Sequence, residues 1–316
     1  MSHNATLIYN PAAGPWDMTR AMSRLATYLG KSGWRIELIK TERPGDVTRH
    51  ARTAADLGIE VVLVAGGDGT INEAINGLSG STTAMGLVPV GTGNILAHQL
   101  RMPILALSTP FHVKDVGDAL LNSQIQNVDL GTVGDRRFLC WAGVGLDAEI
   151  AAQMEPRPRH MKRMKTLPYL IAGLSVASEY RGVRSTILIG DRSFRTRTLM
   201  AVASNIQLYG TLFQIAPQAR MDDGLLDIFV FKGVGLNYAL RAVAQTLSRR
   251  HLESPAVMHA LAGEMKVDTS PDVAVHVDGD PHGSTPIEIG ICPEALRLLT
   301  PPAAPNSLFT KPSERL

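Results

Sequence analysis

Two apolar runs in the first hundred residues each end abruptly in glycines: V-V-L-V-A-G-G-D-G-T at 61–70 and A-M-G-L-V-P-V-G-T-G-N at 84–94. A run of Val, Leu and Ala without alternating polar residues predicts a buried strand, and a fold must cover such a strand on both faces. The neighbouring segments supply the cover. Ala5–Tyr9 reads as a short strand ending in Asn10-Pro11-Ala12-Ala13-Gly14. Asp17 is placed to cap a helix with Met18, Met22, Leu25 and Leu29 on one face. Residues 34–39 read as a strand, 46–57 as a helix, and the T-I-N-E-A-I-N-G-L after Gly69 as another helix. Strand and helix in alternation predict parallel strands joined by right-handed crossovers, with the loops at their carboxyl ends forming a ligand crevice. Both glycine turns belong on that rim.

After about Asn127 the texture changes. Short strand-like pieces at 128–133, 137–141, 185–189, 198–203, 226–231, 266–269, 273–277 and 287–291 are separated by Gly, Asp and Pro turns, which predicts an antiparallel sandwich or barrel. Helical interruptions are expected at 167–178 and 236–248. The 316 residues, 45% of them hydrophobic, suffice for two packed domains. The expected division is an α/β domain over residues 1–126, a β-rich domain over 127–301 and a tail over 302–316, with a cleft between the two halves. A net charge of +2 provides none of the global basic field of nucleic-acid binders. Cys140 and Cys292 lie in apolar stretches and read as small core residues. The N-terminus lacks a basic segment followed by an apolar one, and no run of 18 apolar residues occurs, so a cytoplasmic protein without a spanning helix is expected.

Gly66-Gly67-Asp68-Gly69-Thr70 has more glycine than packing alone requires. Positive φ angles and close approach of a ligand to the main chain are expected there, with an anion favoured at the helix N-terminus. No P-loop lysine accompanies it. Asp68 would act through a metal ion or by orienting a neighbour, because a bare carboxylate repels phosphate. Gly143-Val144-Gly145-Leu146-Asp147-Ala148 matches a dinucleotide fingerprint on paper, but it lies in the β-rich half and reads as a structural turn. Asp222-Asp223-Gly224 suits either a type I turn or a hard cation. Asp278-Gly279-Asp280 ends a strand and reads as a solvated turn or, facing a crevice, a source of a general base. Arg157, Arg159, Lys162, Arg163 and Lys165 precede an apolar stretch; they read as a solvated loop or as a surface for anionic lipid headgroups.

Taken in order, Asn10-Pro11-x-x-Gly14, Gly66-Gly67-Asp68-Gly69-Thr70-x-Asn72-Glu73, Gly91-Thr92-x-Asn94, Asp222-Asp223-Gly224-x-Leu226-Asp227 and Asp278-Gly279 resemble the diacylglycerol kinase catalytic family, which includes bacterial soluble diacylglycerol kinases, YegS-like lipid kinases and sphingosine and ceramide kinases. The resemblance implies a Rossmann-like nucleotide domain followed by an antiparallel β-sandwich domain, and an ATP-dependent lipid kinase. It implies nucleotide contacts at Asn10, Pro11, Gly14, Thr41, Gly66, Gly67, Asp68, Gly69, Thr70, Asn72 and Thr92. It also implies Mg²⁺ held by Asp223 and the carbonyls of Arg220 and Leu225. The final motif implies a proton acceptor at Asp280, where the family normally has glutamate, with Asp278 and Asp68 as alternatives; Asp68 is also expected to be catalytic. The shorter side chain reaches about 1.5 Å less far. Ile95 and His98 stand where the family pattern has Asp and Arg, and no lysine follows Gly14. The implied setting is the inner membrane face, with a lipid substrate presented there, diacylglycerol first, and a homodimer as an open expectation. NAD kinase, which shares G-G-D-G-T, and a nucleotide-binding regulatory module without catalysis are the alternative readings.

Overall fold

The computed structural model describes residues 3–11, 18–105, 112–154, 180–211 and 213–316. Gly14, Asp17, the basic segment at 157–165 and the helix expected at 167–178 lie outside them. The chain forms two compact units. The first contains residues 1–130, 221–223 and 293–316, and the second contains 131–220 and 224–292.

The first unit begins with β1 (Asn4–Tyr9), α1 (Thr19–Gly30), β2 (Arg35–Lys40), α2 (Asp46–Asp56), β3 (Val61–Gly66), α3 (Asp68–Leu78), β4 (Ala84–Pro89), α4 (Ile95–Gln99) and α5 (His112–Leu121). β5 (Gln124–Val133) then leads into the second unit. The sheet order is β4-β3-β1-β2, parallel throughout, with Leu7 opposite both Leu38 and Leu63. Every residue of β3 and β4 is buried, as their unbroken apolar runs require. Met22, Leu25 and Leu29 form the buried stripe of α1; each contributes roughly 1.5–3 kcal/mol by leaving water. The crossovers run outward from β1 to β2 and then back to β3, so the connection reverses beside β1, and a crevice opens at the carboxyl ends there.

The second unit contains β6 (Arg136–Phe138), β7 (Trp141–Gly145), α6 (Leu146–Met154), β8 (Val183–Ile189), β9 (Arg192–Ser204), β10 (Leu208–Tyr209), β11 (Phe213–Gln214) and β12 (Leu226–Lys232). α7 (Leu236–Leu247), β13 (Val257–Ala262), β14 (Glu264–Ser270), β15 (Ala274–Val277) and β16 (Asp280–Ser284) follow, and β17 (Ile287–Thr300) leads back into the first unit. Its pairs are antiparallel, in the order β16-β15-β7-β9-β8-β14-β17, with β12 between β9 and β13. The first half of β9 pairs with β8, while Met200–Ser204 pairs with both β7 and β12. β8 and β14 alternate buried and exposed residues, and their inward positions meet Phe138, Val144, Leu226 and Ile228 in one core.

The mixed architecture agrees with the expected fold class. Three expectations need correcting. Residues 302–316 do not form a separate tail: Glu314 pairs with Ile125 through two backbone hydrogen bonds of 2.8 Å, and the segment belongs to the first unit. Cys140 and Cys292 are half-buried rather than core residues. The helix after β3 does not wait until Gly69 has passed: α3 starts at Asp68 with Gly67 as its N-cap.

Candidate functional site

Parallel register brings most of the expected nucleotide residues of the first unit to one rim. Tyr9 lies opposite Lys40 and Ala65, and Gly66 lies opposite Pro89, so Asn10, Thr41, Gly67 and Gly91 leave their strands side by side. The Asn10 N–H donates to the Ala65 carbonyl (3.3 Å) and the Thr41 N–H to the Tyr9 carbonyl (3.0 Å). Pro11 continues from Asn10. Thr92 is exposed in the second turn, while Asn72 is buried on α3 and accepts from the Asn76 side-chain amide (3.1 Å).

The glycines serve contact rather than unusual dihedrals. Gly66, Gly67 and Gly69 do not have positive φ angles. A Cβ on Gly66 would collide with the Thr70 side chain, and a Cβ on Gly91 would come within 2.5 Å of the Gly67 Cα. The two turns therefore touch backbone to backbone. A Cβ on Gly69 would meet nothing within 4 Å, so the main chain at the exposed start of α3 faces open space. No side chain caps that helix end. Its first N–H groups are oriented for an anion, with the helix dipole in support.

Asp68 joins the two turns. Its carboxylate accepts the N–H of Ile95 (2.7 Å) and of Asn94 (3.0 Å), which are the N-terminal donors of α4. Asn94, at φ 53°, closes its own turn by accepting from the Gly91 N–H (2.9 Å) and donating to the Gly91 carbonyl (2.7 Å). Burial raises the Asp68 pKa, while the Ile95 and Asn94 N–H donors oppose that shift, as does the charge of nearby His98. Of the two roles open to Asp68, this geometry supports orienting a neighbour.

In the second unit, Val277 pairs with Asp280 across a two-residue turn in which Asp278 (φ 50°) and Gly279 (φ 85°) both have positive φ. Asp-Gly is the dipeptide such a hairpin turn favours. Asp278 is not solvated through its side chain. The residue keeps partial exposure, but the carboxylate is enclosed and accepts the N–H groups of Leu139 (3.1 Å), Cys140 (3.0 Å) and Trp141 (2.9 Å). Burial pushes it up to about 6 against those donors. The group holds a neighbouring strand. Asp280, the first residue of β16, has a half-exposed carboxylate paired with Arg136 at 2.7 Å.

A cluster that the sequence reading missed supports this hairpin. The Gly279 N–H donates to His276 Nδ1 (3.3 Å), which leaves the His276 proton on Nε2, donated to Asp147 Oδ2 (2.9 Å). The Tyr209 hydroxyl donates to the same oxygen (2.5 Å), and burial, together with Asp147, raises its pKa. A Cβ on Gly143 would collide with Asp147 and His276, so this part of the G-x-G-x-x-A motif makes room for the cluster. The only signal in sequence was that motif, whose partner His276 lies 129 residues from Asp147.

The expected metal residues lie on one short segment. Asp222 is committed elsewhere: fully buried, it accepts the N–H groups of Thr310 (2.7 Å) and Lys311 (2.8 Å) and the Gln126 amide (3.1 Å). Asp223 is half-buried. Among the described residues no group of three or more His, Cys, Asp or Glu side chains is placed to hold a metal ion. A single carboxylate with main-chain carbonyls is the hard-oxygen donor type that Mg²⁺ accepts.

Residues 4–133 match the diacylglycerol kinase catalytic domain, and residues 141–300 match the YegS C-terminal NAD kinase beta sandwich-like domain. The chain is 25% identical over 286 residues to a diacylglycerol kinase of Bacillus subtilis (strain 168), covering 90% of this chain and 92% of that protein. It is also 25% identical over 305 residues to a diacylglycerol kinase of Staphylococcus epidermidis, covering 95% and 93%. The crystal structure of a diacylglycerol kinase from Bacillus anthracis str. Sterne superposes with a TM-score of 0.72 at 19% identity, over 96% of this chain and 98% of that one.

Proposed function

The chain belongs to the diacylglycerol kinase catalytic family with a YegS-type C-terminal domain, and on that premise we propose that it transfers the γ-phosphate of ATP to the hydroxyl of a lipid, diacylglycerol being the first candidate. The observation that carries this reading is the pair of glycine turns locked together by Asp68 beside the uncapped start of α3. Phosphates would lie along the N–H groups at the start of α3, in the open space that a Cβ on Gly69 would enter. Asn10, Pro11, Thr41 and Thr92 would border the nucleotide, and Asn72 would support α3 from within.

Phosphoryl transfer depends mostly on positioning and charge stabilisation. The lipid oxygen bonds to the γ-phosphorus as the bond to the β-phosphate bridging oxygen breaks, ADP leaves, and the hydroxyl proton passes to Asp280. Arg136 orients that carboxylate, and the His276–Asp147–Tyr209 cluster with Asp278 fixes the hairpin that carries it. Asp223 and the carbonyls of Arg220 and Leu225 would hold Mg²⁺, which when bound offsets negative charge. The reaction would take place at the cytoplasmic face of a membrane.

The test is transfer of label from γ-labelled ATP, with Mg²⁺, to diacylglycerol, monoacylglycerol, phosphatidylglycerol, ceramide or sphingosine in mixed micelles, with Asp280→Ala alongside. The expected result is one labelled lipid, lost in the variant. ATP binding without a labelled lipid would favour the regulatory module, for which the short, arginine-paired Asp280 argues. Displacement of ATP by NAD would favour the NAD kinase alternative.

A further inference from the structure

α7 presents its small residues to the protein and its large ones to water. Ala239 and Thr246 are buried, whereas Leu240 is 46% exposed, Val243 41% and Leu247 57%. At about 100° per residue, Leu236, Leu240, Val243 and Leu247 fall on one stripe, because their spacing of four, three and four residues is the helical repeat. Leu252, just past the helix, is also exposed. The adjoining stripe contains Asn237, Arg241 and Ser248. Beside it runs an open groove of about 570 Å³ whose lining includes Arg241, Gln245, Ser248, Arg250 and Glu253. Arg249 continues the basic character after the helix.

A packed helix ordinarily turns its leucines inward, so this reversal leaves an apolar face that no described residue buries. The charges beside it narrow the choice of occupant. Arginines flanking a leucine stripe, with a groove lined by Arg241 and by Arg250, the latter in an exposed 4.0 Å pair with Glu253, complement a surface that is apolar below and anionic above. We propose that α7 docks the protein on a bilayer containing anionic phospholipid, with Leu240, Val243 and Leu247 entering the acyl boundary and Arg241 and Arg250 meeting headgroup phosphates. The proposal deepens the lipid-kinase reading, since a kinase whose acceptor stays in the bilayer must work at that surface.

The experiment is co-sedimentation of the full chain with phosphatidylglycerol/phosphatidylcholine vesicles and with phosphatidylcholine vesicles alone. Two variants, Leu240→Gln/Leu247→Gln and Arg241→Gln/Arg250→Gln, are compared with the parent. Thermal melting and sedimentation velocity are followed in parallel. The parent should bind the anionic vesicles, and the leucine variant should lose at least tenfold in affinity. The arginine variant should lose the preference for anionic vesicles and the salt dependence that goes with it. Unchanged vesicle binding in either folded variant overturns the proposal. A leucine variant that binds vesicles normally but has half the parent's mass also overturns it and assigns the stripe to a second copy of the chain. If the leucine variant fails to fold, the arginine variant alone decides. Phosphorylation of a dispersed short-chain diacylglycerol should be the same in all three proteins. Vesicle binding without any lipid phosphorylation would refute the kinase reading while leaving the docking surface standing.

Discussion

Replacing Asp278 with alanine removes one side chain and disturbs three strand donors at once. The N–H groups of Leu139, Cys140 and Trp141 lose their shared acceptor. Each enclosed donor left without a partner costs at least about 1 kcal/mol, so together they cost about 3 kcal/mol. Alanine must also hold the positive φ of 50° that the turn imposes, at roughly 1 kcal/mol. The expected loss at pH 7 is therefore about 4 kcal/mol, a large share of an ordinary domain's stability. The pH dependence adds a second check. The folded carboxyl titrates near 6, above its unfolded value of 3.8. The folded state therefore binds the extra proton, and this group's contribution is fully present below about pH 4 and lost as pH rises through 6. The size of that loss is about 3 kcal/mol, from some two units at 1.36 kcal/mol each. Urea unfolding at pH 7, 5.5 and 4 would show the gap between parent and variant widening toward acid. A gap below 1 kcal/mol at pH 7, or one that narrows on acidification, would refute the reasoning.

Gly69→Ala should leave the melting temperature within a degree or two, because its Cβ enters open space, yet weaken ATP binding at least tenfold by calorimetry. Gly91→Ala should lower both, since its Cβ presses on the Gly67 Cα at 2.5 Å and forcing the turns apart costs roughly 1–3 kcal/mol. Truncation before Phe309 removes the Thr310 and Lys311 donors from buried Asp222, and an uncompensated buried charge costs roughly 3–5 kcal/mol, measurable by urea unfolding. Asp222→Asn in the truncated chain should recover part of that loss.

The layered half of the fold was readable because its information is local. Val61–Val64 and Ala84–Val90 announce buried strands, and Met22, Leu25 and Leu29 announce the inward face of α1. Topology placed the two glycine turns on the rim, whereas Asn10 and Thr41 were expected beside the nucleotide only from the family resemblance; the parallel register sets them next to Gly66 and Gly67. What could not be read depended on distance along the chain. Asp278-Gly279 spelled a turn, but the acceptors' partners lie 137 to 139 residues earlier, so a structural carboxylate looked like a solvated one. The glycines after β3 looked like residues needing positive φ. Their reason is Gly91, in the turn after another strand, and the Thr70 side chain one helical turn on. β13, V-M-H-A-L-A, has too few β-branched residues to announce itself, and becomes a strand by pairing with β12.

The first unit is assembled from both ends of the chain, with the second unit's residues lying between them in sequence. During synthesis, therefore, the segment containing Thr310, Lys311 and Glu314 leaves the ribosome after the second unit's residues, and until then Asp222 and the β5 strand lack the partners that close them in. The second unit, complete by Cys292, can fold first, while the glycine turns wait in a half-built sheet. Stalled or prematurely ended translation should thus yield chains with an intact β-rich unit and no nucleotide binding.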